Sequence, residues 1–326
     1  METHYSLSAQ NISKVFTTGR KSFSAVTDLS FNLVPGESVA FLGPNGAGKS
    51  TTIKILCGIL SPTSGEARID GHVAGTLDAN KQLGLVFGTR SQLFMHMTVE
   101  QCLSLIGEIY FLSGRAKASR IAELSELFEI GDLLSQRVRT LSLGQRMRFE
   151  LVAALLHRPK ILLADEPTIG LDVIAKNRLR ELVLRWQREE KSTLLLTSHD
   201  LSDVEALCDR CILIDHGEKR FDGPLQDLKG DLTDLRRVQI TVSENSTSVF
   251  ANDKEIHIAV CDEFTHSYEL RTRRRPMSEA LAKLSAHYGD RLQDIQISEV
   301  SLEEVLAKRY AENRTEQREV QIGVEK

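Results

Sequence analysis

The sequence predicts an α/β protein built on a parallel sheet, followed by a smaller α+β unit. Three observations lead there. Over roughly the first 225 residues, short β-rich apolar runs alternate with helix-like stretches. One strand–helix junction is a glycine-rich loop of the kind that cradles phosphates. Beyond about residue 228 the apolar period changes to two, the mark of half-exposed antiparallel strands. The expected division is therefore residues 1–228 and 229–326.

The β-rich runs of the first unit are, in order, Ser38-Val39-Ala40-Phe41-Leu42, Leu85-Val86-Phe87, Ile161-Leu162-Leu163-Ala164, Thr193-Leu194-Leu195-Leu196-Thr197 and Cys211-Ile212-Leu213-Ile214. The middle three are almost continuously apolar, as strands covered on both faces must be. Helices are expected over 50–60, 119–128 and 146–157. In the last of these Leu151, Ala154 and Leu155 recur at helical spacing, and Arg158-Pro159 stops the element. In the second unit Val238-Gln-Ile240-Thr-Val242 and Ile256-His-Ile258-Ala-Val260 alternate apolar and polar residues. A helix over 277–288 and a strand over 295–297 follow, and Ser301-Leu-Glu-Glu304 is a capping box opening a last helix to about residue 310. The charged final dozen residues are expected to fray.

Composition narrows the function classes. With 41% hydrophobic and 26% charged residues, the chain reads as an ordinary folded protein. Its 41 Lys+Arg against 45 Asp+Glu leave a net charge of -4, which argues against a large basic surface and so against nucleic acid as a partner. No run approaches the ~18–20 apolar residues of a membrane span. The start, Met1-Glu2-Thr3-His4-Tyr5-Ser6, lacks a signal-peptide pattern, so a cytosolic protein is expected. The five cysteines form no evident disulfide framework. Cys208-Asp-Arg-Cys211 is an isolated pair, read as two buried thiols rather than as a zinc site.

The chemistry begins at Gly43-Pro44-Asn45-Gly46-Ala47-Gly48-Lys49-Ser50, which fits G-x-x-x-x-G-K-[ST] between an expected strand and an expected helix. Glycines let backbone N–H groups converge on phosphate oxygens, and the helix N-terminus adds partial positive charge. Lys49 would bridge the β- and γ-phosphates, and the Ser50 hydroxyl would ligate Mg²⁺. Further on, the apolar strand Ile161-Leu162-Leu163-Ala164 ends in Asp165-Glu166. Asp165 is the expected metal holder and Glu166 the expected general base.

Three further segments add specificity: Leu141-Ser142-Leu143-Gly144-Gln145 just before a helix, Asp165-Glu-Pro-Thr-Ile-Gly-Leu-Asp172, and His199 within Thr197-Ser-His-Asp200. Order and spacing together resemble the ATP-binding-cassette (ABC) ATPases over about residues 7–225. The resemblance implies a P-loop NTPase core with a mixed sheet and a helical subdomain. It implies ATP and Mg²⁺ as bound species, and a head-to-tail dimer in which each ATP lies between the glycine loop of one copy and the signature segment of the other. Residues 43–51, ending at Thr51, match Walker A, and 161–165 match Walker B. Glu166 falls on the catalytic glutamate and His199 on the switch histidine, while Ser142, Gly144 and Gln145 fall on the signature. Leu143 departs from the usual glycine there and is tolerated if its side chain points away from the nucleotide. Phe16 resembles the aromatic that stacks on adenine, with a strand-edge core residue as the competing reading.

After Leu85-Val86-Phe87 the family places a glutamine that ligates Mg²⁺. Gln92 is the available candidate; a coupling-surface residue without metal contact is the alternative. Leu93-Phe94-Met95-His96-Met97 stands where, by the resemblance, transporter cassettes receive the membrane subunit, with Phe94, Met95 and Met97 expected exposed and a folded-in loop as the alternative. The segment 294–308 resembles the tail of cassettes paired with ABC-2-type exporter permeases. The basic cluster Arg271-Thr-Arg-Arg-Arg275 reads as a solvated strand end or as a contact for an acidic partner or lipid headgroups. The expectation is an ATP-hydrolysing subunit, peripheral on the cytoplasmic face, that energises a separate permease, with an importer ATPase or a non-transport ABC protein as the alternatives.

Overall fold

The computed structural model describes residues 4–19, 21–88, 91–229, 235–243, 257–261, 264–271, 276–299 and 302–306. The chain divides into two compact units, Met1–Leu225 and Gln226–Lys326.

The first unit holds two sheets. One is six-stranded, in the order β10 (Glu218–Pro224), β9 (Arg210–Asp215), β3 (Ser38–Leu42), β8 (Thr193–Thr197), β7 (Ile161–Asp165) and β6 (Leu83–Phe87). Strands β9, β3, β8, β7 and β6 run parallel, and β10 closes one edge antiparallel to β9. Parallel strands need a crossover for each pairing, and these crossovers supply the helices.

The other sheet was not anticipated. β1 (Leu7–Thr18), β2 (Lys21–Leu33), β4 (Ser64–Ile69) and β5 (His72–Val73) pair antiparallel in the order β2-β1-β4-β5. Its apolar residues, among them Leu7, Ile12, Val26, Leu29, Phe31 and Leu33, join one core with Ile53, Ile55 and Leu56. Val39, Phe41, Ile161, Leu163, Leu195, Ile212 and Ile214 of the parallel sheet belong to the same cluster. Leu162, Ala164, Leu194, Leu196 and Leu213, which alternate with these, are buried as well, so the parallel sheet is covered on both faces.

Helix α1 (Lys49–Leu56) follows β3 and stops four residues short of the expected 60. Cys57 and Gly58 take up its last carbonyls, and Gly58 turns the chain at φ +69. A short α2 (Leu77–Lys81) precedes β6. Between β6 and β7 lie α3 (Val99–Ile109), α4 (Gly114–Leu127) and α5 (Leu143–Leu155), which pack on one another as a helical subdomain. Then α6 (Val173–Glu190) links β7 to β8, α7 (Leu201–Leu207) links β8 to β9, and α8 is Leu225–Lys229.

The second unit is a four-stranded antiparallel sheet, β12 (His257–Cys261), β13 (Thr265–Arg271), β11 (Leu235–Val242) and β14 (Leu292–Glu299) in that spatial order. Helix α9 (Met277–Tyr288) packs Ala280, Leu284 and Tyr288 against Val238, Ile240, Val242, Tyr268 and Leu270. Strand β13 adds an element that the sequence pattern does not mark. The capping box at Ser301, most of the Arg271–Arg275 cluster and the final dozen residues lie outside the described residues. The described turn of helix at 302–306 buries Leu302, Val305 and Leu306.

Among the described residues no helix is long and apolar enough to cross a membrane. Cys208 and Cys211 are buried and not disulfide-bonded, and no group of three or more His, Cys, Asp or Glu that could hold a metal occurs among the described residues.

Candidate active site

The first unit carries an open cleft of about 430 Å³ over the C-terminal ends of the parallel strands. Pro44, Asn45, Gly46, Gly48, Lys49, Ser50 and Thr51 line it from the β3–α1 loop, and Asp165, Glu166 and His199 line it from the ends of β7 and β8. Segments more than a hundred residues apart in sequence meet here because β3, β8 and β7 are adjacent and parallel, so their C-terminal ends point the same way.

The loop is shaped for an anion. Gly48, the N-cap of α1, has φ +103 and makes no side-chain capping bond, and the first turn holds no acidic residue. The leading N–H groups of α1 are thus left for a ligand. A Cβ on Gly48 would come within 2.4 Å of the Ala25 carbonyl oxygen, so only glycine permits this close approach. Lys49 folds back over the loop, with Nζ donating to the carbonyls of Gly43 at 2.5 Å and Pro44 at 3.0 Å. Burial pushes the Lys49 ammonium down from its ordinary value, opposed by Glu166 and Asp165. Gly43 and Ala47 support the loop from behind rather than lining the cleft; Ala47 is buried.

Across the cleft, Thr197 Oγ1 donates to Asp165 Oδ1 at 2.5 Å, which orients that carboxylate. Glu166 sits at φ +56, a left-handed conformation uncommon for a residue with a side chain. Its backbone N–H donates to the Thr197 carbonyl at 3.0 Å. The carboxylate faces His199 twice: the His199 N–H donates to Oε2 at 3.2 Å, and the ring Nε2 stands 3.2 Å from Oε1. Burial raises the Glu166 carboxyl above the usual range, and the nearby His199 works against that rise. A carboxylate held near the strand ends with a raised proton affinity is suited to accept a proton. Gly88, at the end of β6, donates its N–H to the Asp165 carbonyl, and a Cβ there would meet the Glu166 carbonyl oxygen at 1.9 Å.

Not every expected site residue converges. Phe16 stands 42% exposed on β1, outside the cleft lining, with the Lys14 ammonium 5.4 Å from its ring centroid. Its cross-strand partner on β2 is Phe23, 63% exposed, which does line the cleft together with Ala25. Gln92 turns elsewhere: its amide donates to the Leu85 carbonyl at 3.3 Å and, like its backbone N–H, serves the buried carboxylate of Glu150. Ser142, Gly144 and Gln145 lie at the start of α5 and not in this chain's own cleft. Ser142 and Gln145 form a reciprocal capping box, which satisfies two otherwise orphaned N–H groups. Leu143 points at the chain's own 165–172 segment, its Cδ2 lying 3.1 Å from where a Cβ on Gly170 would stand. In the loop after Gln92, Leu93 is buried, Phe94 exposed, and Met95 and Met97 half-buried, so that segment is less open than its composition suggested. Phe23 and Ala25 are cleft residues that no local motif marks, and Ile169 belongs to the 165–172 segment without standing out in it.

A glycine loop on a helix N-terminus, facing a strand-end carboxylate pair on a parallel sheet, defines a P-loop nucleotide hydrolase. Comparison with known proteins carries this further. A profile of the ABC transporter family matches residues 26–169. The ABC transporter ATP-binding protein NatA of Bacillus subtilis is 37% identical over 218 residues, 66% of this chain and 88% of that one. The linearmycin resistance ATP-binding protein LnrL of the same organism is 34% identical over 306 residues, 91% of this chain and 96% of that one. Among solved structures, cbiO1 of Clostridium perfringens, part of the ABC transporter complex cbiONQ, aligns with a TM-score of 0.61 at 27% identity, covering 69% of this chain and 90% of that one. A dimeric post-hydrolysis cassette bound to ADP and phosphate aligns with a TM-score of 0.60 at 27% identity, covering 67% and 98%. The chain belongs to the ATP-binding proteins of the ABC transporter family and is an ATPase.

Proposed function

We propose that this chain is the motor of an exporter: two copies close on two ATP molecules and drive a separate ABC-2-type membrane permease from the cytoplasmic face. The observation that carries the chemistry is the meeting of Lys49, Asp165, Glu166 and His199 in one cleft. The exporter assignment draws support from the full-length match to a linearmycin resistance protein, which takes in the second unit as well as the cassette. A doxorubicin resistance protein, DrrA of Mycobacterium tuberculosis, is 36% identical over 65% of this chain and 64% of its own length.

The uncapped N-terminus of α1 and the glycine-only approach at Gly48 fit a triphosphate. On binding, Lys49 exchanges the Gly43 and Pro44 carbonyls for phosphate oxygens, a stronger charge-assisted pairing. Ser50 and Asp165 have the oxygen chemistry to hold Mg²⁺, which when bound offsets phosphate charge. Gln92 would have to leave the Leu85 carbonyl and Glu150 to join them. Glu166 accepts a proton from water as the water oxygen attacks the γ-phosphorus in line and the bond to the β-phosphate oxygen breaks. His199 holds the carboxylate in the orientation this requires. Ser142, Gly144 and Gln145 contact the nucleotide of the second copy, in keeping with their not lining this chain's own cleft. Ile169, Val173 and Ile174 are exposed beyond the carboxylates and offer apolar surface to that copy.

The test is Glu166→Gln. It should lower steady-state ATP turnover by about 10²-fold or more while an ATP-bound dimer accumulates in size-exclusion chromatography. Turnover at the wild-type rate would remove Glu166 as the base.

A further inference from the structure

Helix α7 carries a carboxylate that touches neither the cleft nor solvent, yet joins both loops that form the catalytic pair. Asp203 is fully buried. Its Oδ2 accepts two hydrogen bonds, one from Thr168 Oγ1 and one from Ser198 Oγ at 2.9 Å. Its Oδ1 is held by Arg180 of α6, through Nε at 2.6 Å and Nη2 at 2.5 Å. Arg180 Nη2 also donates to Ser202 Oγ at 2.7 Å. Thr168 and Ser198 are themselves buried, so their hydroxyl protons are committed to this one oxygen.

The two hydroxyls belong to places of consequence. Thr168 lies two residues past Glu166 in the turn closed by Ile169 N–H to the Glu166 carbonyl at 3.2 Å. Ser198 directly precedes His199, and its oxygen also accepts the Asp200 N–H at 3.0 Å. The His199 side chain is 57% exposed, so packing does little to place it; the backbone on which it stands must do so. A buried ion pair adds little net stability compared with apolar residues of the same shape. Its use here is geometric.

We propose that Asp203 is a positioning residue that clamps the Glu166 turn to the His199 turn, setting the 3.2 Å contact between the two side chains. The inference rests on the reading of Glu166 as base and His199 as its partner. One oxygen shared by two loops makes their spacing a single quantity: neither can shift without breaking a buried bond whose donor has no solvent to turn to. Misplacing a catalytic group by an ångström is enough to slow a reaction by about 10²-fold.

Thr168→Val removes the hydroxyl and keeps the shape, Thr168→Ser keeps the hydroxyl, and Ser198→Ala cuts the other arm. Each is measured for kcat, KM for ATP and thermal midpoint, beside Glu166→Gln in the same assay. The clamp predicts that Thr168→Val and Ser198→Ala each lower kcat about tenfold or more with KM within about twofold. Thr168→Ser retains at least about half of the wild-type kcat, and the double variant Thr168→Val/Ser198→Ala is no more than about threefold worse than either single, because both arms end on one oxygen. A purely structural role would lower the thermal midpoint and leave kcat per folded molecule unchanged. Wild-type kcat in Thr168→Val and Ser198→Ala, with Glu166→Gln inactive, overturns the clamp alone. Turnover by Glu166→Gln at the wild-type rate overturns the site reading and the clamp with it.

Discussion

Burial acts on Glu166 and His157 in opposite senses, and each shift has its own experimental signature. As the proposed base, Glu166 must be ionised to take a proton, and burial raises its carboxyl above the ordinary value of 4.5. The rate should therefore fall as pH drops through that raised value, placing the acid limb of kcat above the range of a solvated glutamate. A kcat profile flat down to the ordinary carboxylate range would contradict it. His157 is a structural residue: burial holds it down to about 4, Nε2 donates to the Leu83 carbonyl at 3.1 Å, and the ring stacks on Tyr110 at 3.7 Å. The fold thus requires neutral imidazole, whereas the unfolded chain protonates near pH 6.5. Its contribution to stability is complete above pH 6.5 and is lost as pH falls from there towards about 4. At pH 5 the loss attributable to this ring is about 2 kcal/mol. Urea titrations at pH 7.5 and 5 check this, since His157→Gln should narrow the gap between the two by about that amount.

At the scale of elements, the cleft is assembled from strand ends, and each element brings a different kind of information. The β3–α1 junction is local: its loop, its glycines and Lys49 are contiguous, and the spacing alone marks them. The β1–β2 hairpin is not local in this sense. Its register shifts between Ala9 and Ile12, between Ile12 and Lys14, and between Lys14 and Val15, which breaks the period-two pattern by which a strand is recognised. The same irregular pairing sets Phe23 opposite Phe16, and only Phe23 lines the cleft although only Phe16 lies in a recognisable segment. Phe23 lines the cleft and is well exposed, ready to cover an adenine base. Removing such a stacking partner costs about 1–3 kcal/mol. Phe23→Ala should accordingly raise KM for ATP roughly fivefold or more with kcat retained; an unchanged KM would show that the ring does not meet the base.

For the whole molecule, the informative feature is its division. Met1–Leu225 holds every residue of the proposed nucleotide site, and Gln226–Lys326 has a separate core centred on Val238, Ile240, Tyr268 and Tyr288. A unit with its own buried core can fold by itself. A chain ending at Leu225 should retain a cooperative thermal transition and bind ATP with an affinity within about threefold of the full chain. Loss of the folded circular-dichroism spectrum would show that the units depend on each other. No described helix is long and apolar enough to cross a membrane.

By itself the sequence determined the parallel-sheet class, the phosphate loop, the carboxylate pair at 165–166 and the placing of His199, because each is written in contiguous residues whose spacing carries the chemistry. Tertiary structure decided which of these meet. Parallel pairing of β3, β8 and β7 brings Lys49, Asp165, Glu166 and His199 to one cleft, while Gln92 is drawn towards Glu150 and the signature residues are not part of its lining. It also decided the Asp203 clamp, which no local pattern announces. Thr168, Arg180, Ser198 and Asp203 are ordinary residues in sequence, and become a unit only when the fold buries Thr168, Ser198 and Asp203 together and sets Arg180 against the same carboxylate.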